Sequence, residues 1–286
     1  MRELPPPTAE AELLAWLLVA LAPTNRTRVK QVLRSGRVTV NGTSATRHDH
    51  PLRPGDTVCV ARDAPPPASD LAGIAIVHED AHLIVIDKPA GLLAVATETE
   101  KTDTAFVRLS AHLAARNAGR PFVVHRLDRE TSGLLLFARS AEVRDQLQQN
   151  WDAVTKTYLA VVEGTPAPAE GTIDNYLTEG RDLRVRASPH AGAGAKRAMT
   201  RYTVRETNGR YSLVEVELET GRKHQIRVHM AGLGCPVAGD TMYGAATDPA
   251  RRLCLHAWRL AFDHPFSGAR LETESPLPAA LARVVS

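Results

Sequence analysis

Apolar positions along the chain fall into two stretches of different character. From Leu13 to Leu21 they run almost unbroken, the length of a short buried helix. A second helix is expected over Arg26–Arg34, with Thr24 and Asn25 as candidate caps. On it Arg26, Lys30 and Arg34 share one face, and Val29, Val32 and Leu33 fall on the other. Gly36 ends this helix, Val38–Val40 reads as a strand, and Asn41-Gly42 as a hairpin turn. Pro54-Gly55-Asp56 is a further turn leading into a strand from Thr57 to Val60.

Three consecutive prolines, Pro65-Pro66-Pro67, fit neither a helix interior nor a central strand. Residues 64–72 therefore read as a linker between a small α/β domain, 8–63, and a larger one, 73–286. In the larger domain Ile74–Val77 and Leu83–Ile86 read as strands, Ala105–Arg116 and Ala141–Trp151 as helices. Val214, Val216 and Leu218 alternate with glutamates, the mark of a strand with one buried face. Phe122–Val124 and Leu134–Phe137 are continuous apolar runs and are expected as buried central strands. Ala187–Ala198, rich in Gly and Ala, reads as a mobile loop. The order of elements predicts an α+β fold on a central mixed, mainly antiparallel sheet.

Composition narrows the class. With 286 residues, 43% of them hydrophobic, the chain can bury a sizeable core. Cys59, Cys235 and Cys254 are isolated, which argues against a zinc ribbon or a disulfide framework and fits a reducing, cytoplasmic setting. The N-terminus lacks the basic start of a signal peptide, and the apolar run from Leu13 to Ala22 is too short to span a bilayer, so no membrane role is expected. Residues 1–65 hold nine Lys+Arg against six Asp+Glu, which accounts for the whole net charge of +3. That excess is either a mildly basic solvated surface or an electrostatic footprint for phosphates.

Between the two apolar runs lies a dense polar segment, His125-Arg126-Leu127-Asp128-Arg129-Glu130-Thr131-Ser132-Gly133. Each buried polar group left unsatisfied there would cost about 1–3 kcal/mol. The segment is therefore a hydrogen-bonded structural turn or a site, and the residue types alone leave both open.

His125-Arg126-Leu127-Asp128 with Thr131-Ser132-Gly133 resembles the signature of the RluA-type pseudouridine synthases. Further segments resemble the family in order: Asp87-Lys88-Pro89-Ala90-Gly91-Leu92, Lys156-Thr157-Tyr158, Gly221 through His229, Pro236 through Asp240 with Tyr243-Gly244, and finally Leu255-His256-Ala257 with His264-Pro265. Together they cover residues 74–276. The resemblance implies a pseudouridine synthase fold and isomerisation of uridine in RNA. It implies that Asp128 is the catalytic carboxylate and that Arg126 fills the place of the flipped base. Tyr158 and Ile226 would contact the target base, and Arg227 would pair with Asp128. The reaction breaks the C–N bond to uracil, turns the base and forms a C–C bond without redox change, so no cofactor and no metal are expected. The carboxylate would attack C1′ or take a proton from C2′.

Asn25 through Leu33, Gly36 through Gly42 and Pro54-Gly55-Asp56 resemble an S4 RNA-binding domain over residues 10–61. The resemblance implies that Arg26, Arg28, Lys30, Arg34 and Arg37 grip RNA phosphates. It points to ribosomal RNA, specifically 23S, as substrate, with transfer RNA as the alternative; a monomer is expected. One departure stands out: after Leu93 the family's usual Val-His-Pro is replaced by Ala94-Val95-Ala96-Thr97. Two other classes compete. A catalytically inactive RNA-binding protein is disfavoured by the intact Asp128, Tyr158 and Arg227. A carboxylate-pair glycosidic hydrolase would use Glu130 with Asp128, but residues two apart usually point in different directions.

Overall fold

A computed structural model describes residues 2–34, 38–41, 43–45, 47–60, 71, 73–98 and 100–286, with only the backbone described for 2, 3, 28, 31, 34, 43 and 44. The chain divides into two compact units, Met1–Asp70 with Ala111–Ala118, and Leu71–Ser110 with Gly119–Ser286. No helix among the described residues is long and apolar enough to cross a membrane.

The first unit runs β1 (Arg2–Glu3), β2 (Ala11–Glu12), α1 (Leu13–Ala20), α2 (Arg26–Arg34), β3 (Val38–Val40), β4 (Thr43–Ser44), β5 (Pro51–Leu52) and β6 (Val58–Val60). Four strands form a sheet in the order β1-β6-β3-β4, and β2 pairs with β5. Leu13, Leu14 and Leu17 of α1 pack with Val29, Val32 and Leu33 of α2 over Val38, Val40 and Val58. The opposite face of α2 leaves Arg26 and Lys30 exposed, as their spacing predicts. The Arg28 and Arg34 side chains, Gly36, Arg37, Gly42 and all of the expected linker except Leu71 lie outside the described residues. Gly55 takes a φ of +89° in its turn, which an L side chain would resist. Asn41 ties that turn to β3: its Nδ2 donates to Asp56 Oδ1 at 2.9 Å, and its Oδ1 accepts from Thr57 N at 2.9 Å.

The second unit contains β7 (Ala75–Glu79), β8 (Leu83–Lys88), α3 (Ala105–Ala115, whose last residues group with the first unit), β9 (Phe122–Val123), β10 (Ser132–Ala138) and α4 (Ala141–Gln149). It continues with β11 (Thr155–Glu163), β12 (Glu170–Glu179), β13 (Val185–Ser188), β14 (Lys196–Thr207), β15 (Tyr211–Leu218), α5 (Gln225–Gly232), β16 (Leu255–Asp263), β17 (Arg270–Glu274) and α6 (Ala279–Val285). Eleven strands form one sheet, ordered β13-β12-β14-β15-β11-β16-β10-β8-β7, with β17 on β16 and β9 on β10. Among the described strands of this sheet only β10 and β16 run parallel; the other pairs are antiparallel. This is the mixed, mainly antiparallel α+β sheet expected.

Helices cover the sheet where its strands are apolar. Ile226 and Met230 of α5, with Leu281 and Val285 of α6, pack against Val161, Val214 and Val216. Val143 and Leu147 of α4 pack against Leu83, Leu134 and Leu136. All seven residues of β10 are buried.

Three expectations need correction. Phe122–Val124 is not a central strand: β9 is a two-residue, half-buried stub that meets only Phe137 and Ala138. Its apolar ring is covered by the guanidiniums of Arg120 and Arg144, and the Val123 and Val124 carbonyls accept from Gln148 Nε2. The helix expected over Ala141–Trp151 stops at Gln149, where Asn150 Nδ2 takes the Gln146 carbonyl at 2.9 Å and a single 3₁₀ turn follows at Trp151–Ala153. Ala187–Ala198 is not one loop. Both its ends pair with β12, Ala187 opposite Leu177 and Ala198 opposite Asn175, because small side chains do not prevent backbone pairing.

Candidate active site

The polar segment after His125 is pinned at both ends. At its C-terminal end it enters β10 between two strands, with Gly133 opposite Lys88 on one side and Ala257 on the other. Gly133 has a φ of +110°, and a Cβ there would lie 2.2 Å from the Ala257 carbonyl oxygen. Only glycine lets the two backbones approach so closely. Ser132 Oγ, 2.9 Å from His256 Nδ1 and 2.7 Å from an Arg252 nitrogen, fixes the same junction.

At its N-terminal end the segment is held by His125. Past Gly133, β10 loses β16 as a partner and gains β9 only at Phe137. In that gap Leu136 N–H donates to His125 Nε2 at 3.0 Å. Burial, reinforced by the Lys156 charge, pulls the imidazole down to about 3, so it is neutral and free to accept. Its ring lies against Trp151, centroids 4.6 Å apart.

Lys88 secures the middle. It is fully buried, and Nζ donates to the carbonyls of Pro89 at 2.9 Å, Leu92 at 2.7 Å and Arg129 at 3.1 Å. Burial is the main reason its ammonium falls to about 8. Gly91 N–H also donates to the Arg129 carbonyl, at 2.9 Å. The Asp87–Leu92 turn and the Asp128 loop are thereby one hydrogen-bonded body.

The opposing wall is the start of α5. Buried Gln225 anchors it, donating to Met199 O and Thr200 Oγ1 and accepting from Arg222 N–H. The anchoring sets Arg227 and His224 facing the loop. Arg227 Nη1 and His224 Nε2 each lie 3.8 Å from Asp128 Oδ2. The tight partner of Arg227 is different: Asp240 takes Nε at 2.6 Å and Nη2 at 2.8 Å, both residues being buried. The Arg227–Asp128 pairing implied by the sequence is therefore the looser half of a three-residue arrangement. Tyr243 lies beneath it, its ring centre 5.0 Å from the guanidinium carbon.

Asp128 stands between two cavities. One, of about 270 Å³, is lined by Asp128, Tyr158, Ile226, Trp151, Lys156 and Leu218 among others. The other, of about 280 Å³, is walled by Leu93 through Thr97 and Met242. Arg126, Asp128, His224 and Arg227 border both. Tyr158 sits at a bulge in the β11–β16 pairing, which aims its ring into the first cavity. Burial, with the Asp128 charge behind it, pushes its phenol well above the ordinary tyrosine range, so it stays neutral. Ile226 is 4% exposed, whereas Arg126 is exposed at the rim.

The structure thus brings together Asp128, Arg126, Tyr158, Ile226 and Arg227. Arg26 and Lys30 belong to the other unit. Sequence reasoning did not single out His224, Tyr243 or Asp240. All three stand in segments that resemble the family, Gly221 through His229, Pro236 through Asp240 and Tyr243-Gly244, but the resemblance gave them no role. His229, one turn further along α5, is buried against Thr200 and Asn175. Glu130 is exposed and turned from the first cavity, which leaves Asp128 as its lining carboxylate.

A half-buried carboxylate beside an arginine, opening on an aromatic-lined chamber, suits attack on a sugar with its base held alongside. Similarity to known proteins points the same way. The sequence profile of the family described as RNA pseudouridylate synthase matches residues 82–232. The chain is 38% identical to "Uncharacterized RNA pseudouridine synthase YlyB" of Bacillus subtilis (strain 168), over 91% of this chain and 88% of that protein. It is 34% identical to "Ribosomal large subunit pseudouridine synthase D" of Xanthomonas campestris pv. campestris, over 92% and 84%. Among solved structures, "Human RNA Pseudouridylate Synthase Domain Containing 4" superposes with a TM-score of 0.61 at 27% identity, covering 73% of this chain and 90% of that one. With the profile spanning over half of the chain and relatives aligned along nearly all of it, the chain belongs to the RNA pseudouridine synthases, isomerases of uridine in RNA.

Proposed function

We propose that Asp128 is the catalytic carboxylate, and that the enzyme isomerises uridines of large-subunit ribosomal RNA. The observation that carries the first part is the position of Asp128 between the two cavities, with Arg227 and His224 at 3.8 Å. The carboxylate starts C–N cleavage by attack at C1′ or by removal of the C2′ proton. Extruding the uridine from its stack costs a few kcal/mol. Tyr158 and Ile226 offer the detached base an aromatic face and an apolar contact, and Arg126 at the rim takes its place in the RNA. Two relatives whose names specify the large ribosomal subunit, at 34% and 30% identity, support the choice of RNA.

The small unit is the RNA grip in this reading. Exposed Arg26 and Lys30 on one face of α2 support it, together with the charge excess of residues 1–65. Such contacts add affinity through phosphates rather than sequence reading.

The test is Asp128→Asn. The variant should bind RNA from cells lacking the enzyme yet form no pseudouridine, read by chemical tagging and mass spectrometry. Turnover within tenfold of the parent enzyme would refute the assignment of Asp128. Pseudouridine appearing only in transfer RNA would refute the choice of substrate.

A further inference from the structure

His224 occupies an unusual place. It precedes α5 in the left-handed conformation, φ +54°, which costs a non-glycine residue stability and turns its ring into the cleft. One ring nitrogen, Nε2, faces Asp128 Oδ2; the other, Nδ1, meets the Tyr243 hydroxyl at 2.8 Å. That hydroxyl already accepts the Val185 N–H at 3.0 Å, and its own proton remains to be given. Nδ1 is the acceptor in reach, so the imidazole proton resides on Nε2, pointing at Asp128.

We propose that His224 is a positioning residue of the isomerisation: Tyr243 locks its imidazole as the Nε2–H tautomer, and with a nucleotide bound that N–H donates to the Asp128 carboxylate and aims it at the ribose. The inference rests on the reading of Asp128 as the reacting group. Both neighbours of that carboxylate address Oδ2, which leaves Oδ1 for the sugar. Arg227 cannot do this alone, because Asp240 takes its Nε and Nη2. A gap of 3.8 Å is too long for a hydrogen bond and closes with a small rotation of either side chain once a nucleotide fills the cavities.

Charges around the pair are consistent with a neutral donor. Asp128, Arg227, Lys223 and Asp240 act on His224, and Glu179 lies near enough to interact with it. Tyr158 and Lys88 face Asp128 from β11 and β8. Burial is the largest influence on His224 and lowers its affinity for a second proton, so the ring is neutral near pH 7.

The test is a pH–rate profile under single turnover, read as tritium released from uracil C5 of labelled total RNA from cells lacking the enzyme. Release is expected because the new C–C bond displaces the C5 hydrogen. In His224→Ala the acid limb should move to higher pH by about one unit, a tenfold loss on that limb. His224→Gln, which keeps an N–H at similar reach, should restore the limb. Tyr243→Phe, which keeps the ring under Arg227 but frees the tautomer, should move it in the same direction and by less. If His224→Ala does not fold, Tyr243→Phe alone decides. Profiles parallel to the parent enzyme in the variants that fold, or a shift in His224→Gln as large as in His224→Ala, would overturn the proposal. Asp128→Asn run alongside separates the two readings: its turnover would remove the Asp128 assignment, whereas its inactivity with unshifted His224 and Tyr243 profiles removes only this one.

Discussion

Gly133→Ala should be among the most damaging single-methyl additions in the catalytic unit. The added Cβ would lie 2.2 Å from Ala257 O, 2.7 Å from Ala257 N and 2.8 Å from Ala257 C, all backbone atoms. Neither strand can yield freely. β10 is paired with β8 on its other side, and Ser132 is tied to His256 at 2.9 Å. A φ of +110° adds strain of about 1–3 kcal/mol for a residue with a side chain. Forcing the strands apart adds about 1–3 kcal/mol more. The total, roughly 2–6 kcal/mol, is a large share of the 5–15 kcal/mol typical of a folded domain. For a unit of this size it corresponds to a melting temperature lower by about 5–20 °C. Gly91→Ala is the control: φ is +83°, but nothing lies within 4 Å of its Cβ, so only the backbone term, about 1 kcal/mol, applies. Circular dichroism melts of the three proteins decide. A Gly133→Ala melt within about 2 °C of the parent, or a Gly91→Ala melt as low as that of Gly133→Ala, would refute the close-approach argument.

Lys88→Met should destabilise by about 2–4 kcal/mol, because it strips a buried donor from three carbonyls. The unfolded lysine keeps its proton to about 10.5 and the folded one releases it near 8; between those values the unfolded state binds more protons, so the parent gains stability with rising pH. Urea unfolding should therefore show the Lys88→Met deficit widening from pH 8 to 9.5, and a constant deficit would contradict it. Asp240→Asn leaves Arg227 buried without its ionised partner and should destabilise by about 3–5 kcal/mol; the double change with Arg227→Met should recover part of that loss in thermal melts, and full additivity would argue against the pairing. Deleting residues 1–65 should weaken RNA binding and flatten its salt dependence, with equal slopes in filter-binding titrations counting against an RNA grip there.

Sequence reached the sheet class because strands such as β15 alternate in exposure and β10 is continuously apolar. It misplaced Phe122–Val124 because an apolar run does not reveal what covers it; two arginines do so in place of a strand. Ala187–Ala198 misled in the opposite sense, since pairing through the backbone leaves little trace in small side chains. At the site, Asp128 and Tyr158 were legible because the resemblance assigns each a role within its segment. The Asp240 partner of Arg227 was not, as it comes from a separate turn whose approach depends on tertiary packing. His224 was illegible for a further reason: its role depends on a left-handed backbone angle and on which ring nitrogen Tyr243 addresses, neither of which residue spacing encodes.

The neutral His125 has a consequence for enzymology. It fills the vacancy in β10 pairing with a group that takes up a second proton only far into acid. The clamp on the loop therefore keeps the same charge across the range in which enzymes are ordinarily assayed. Acid-side changes in rate then report on groups meeting the nucleotide, not on loosening of the loop that carries Asp128. In effect the fold isolates its mechanical fastening from its reactive acid–base chemistry, so a titration of activity reads the latter cleanly.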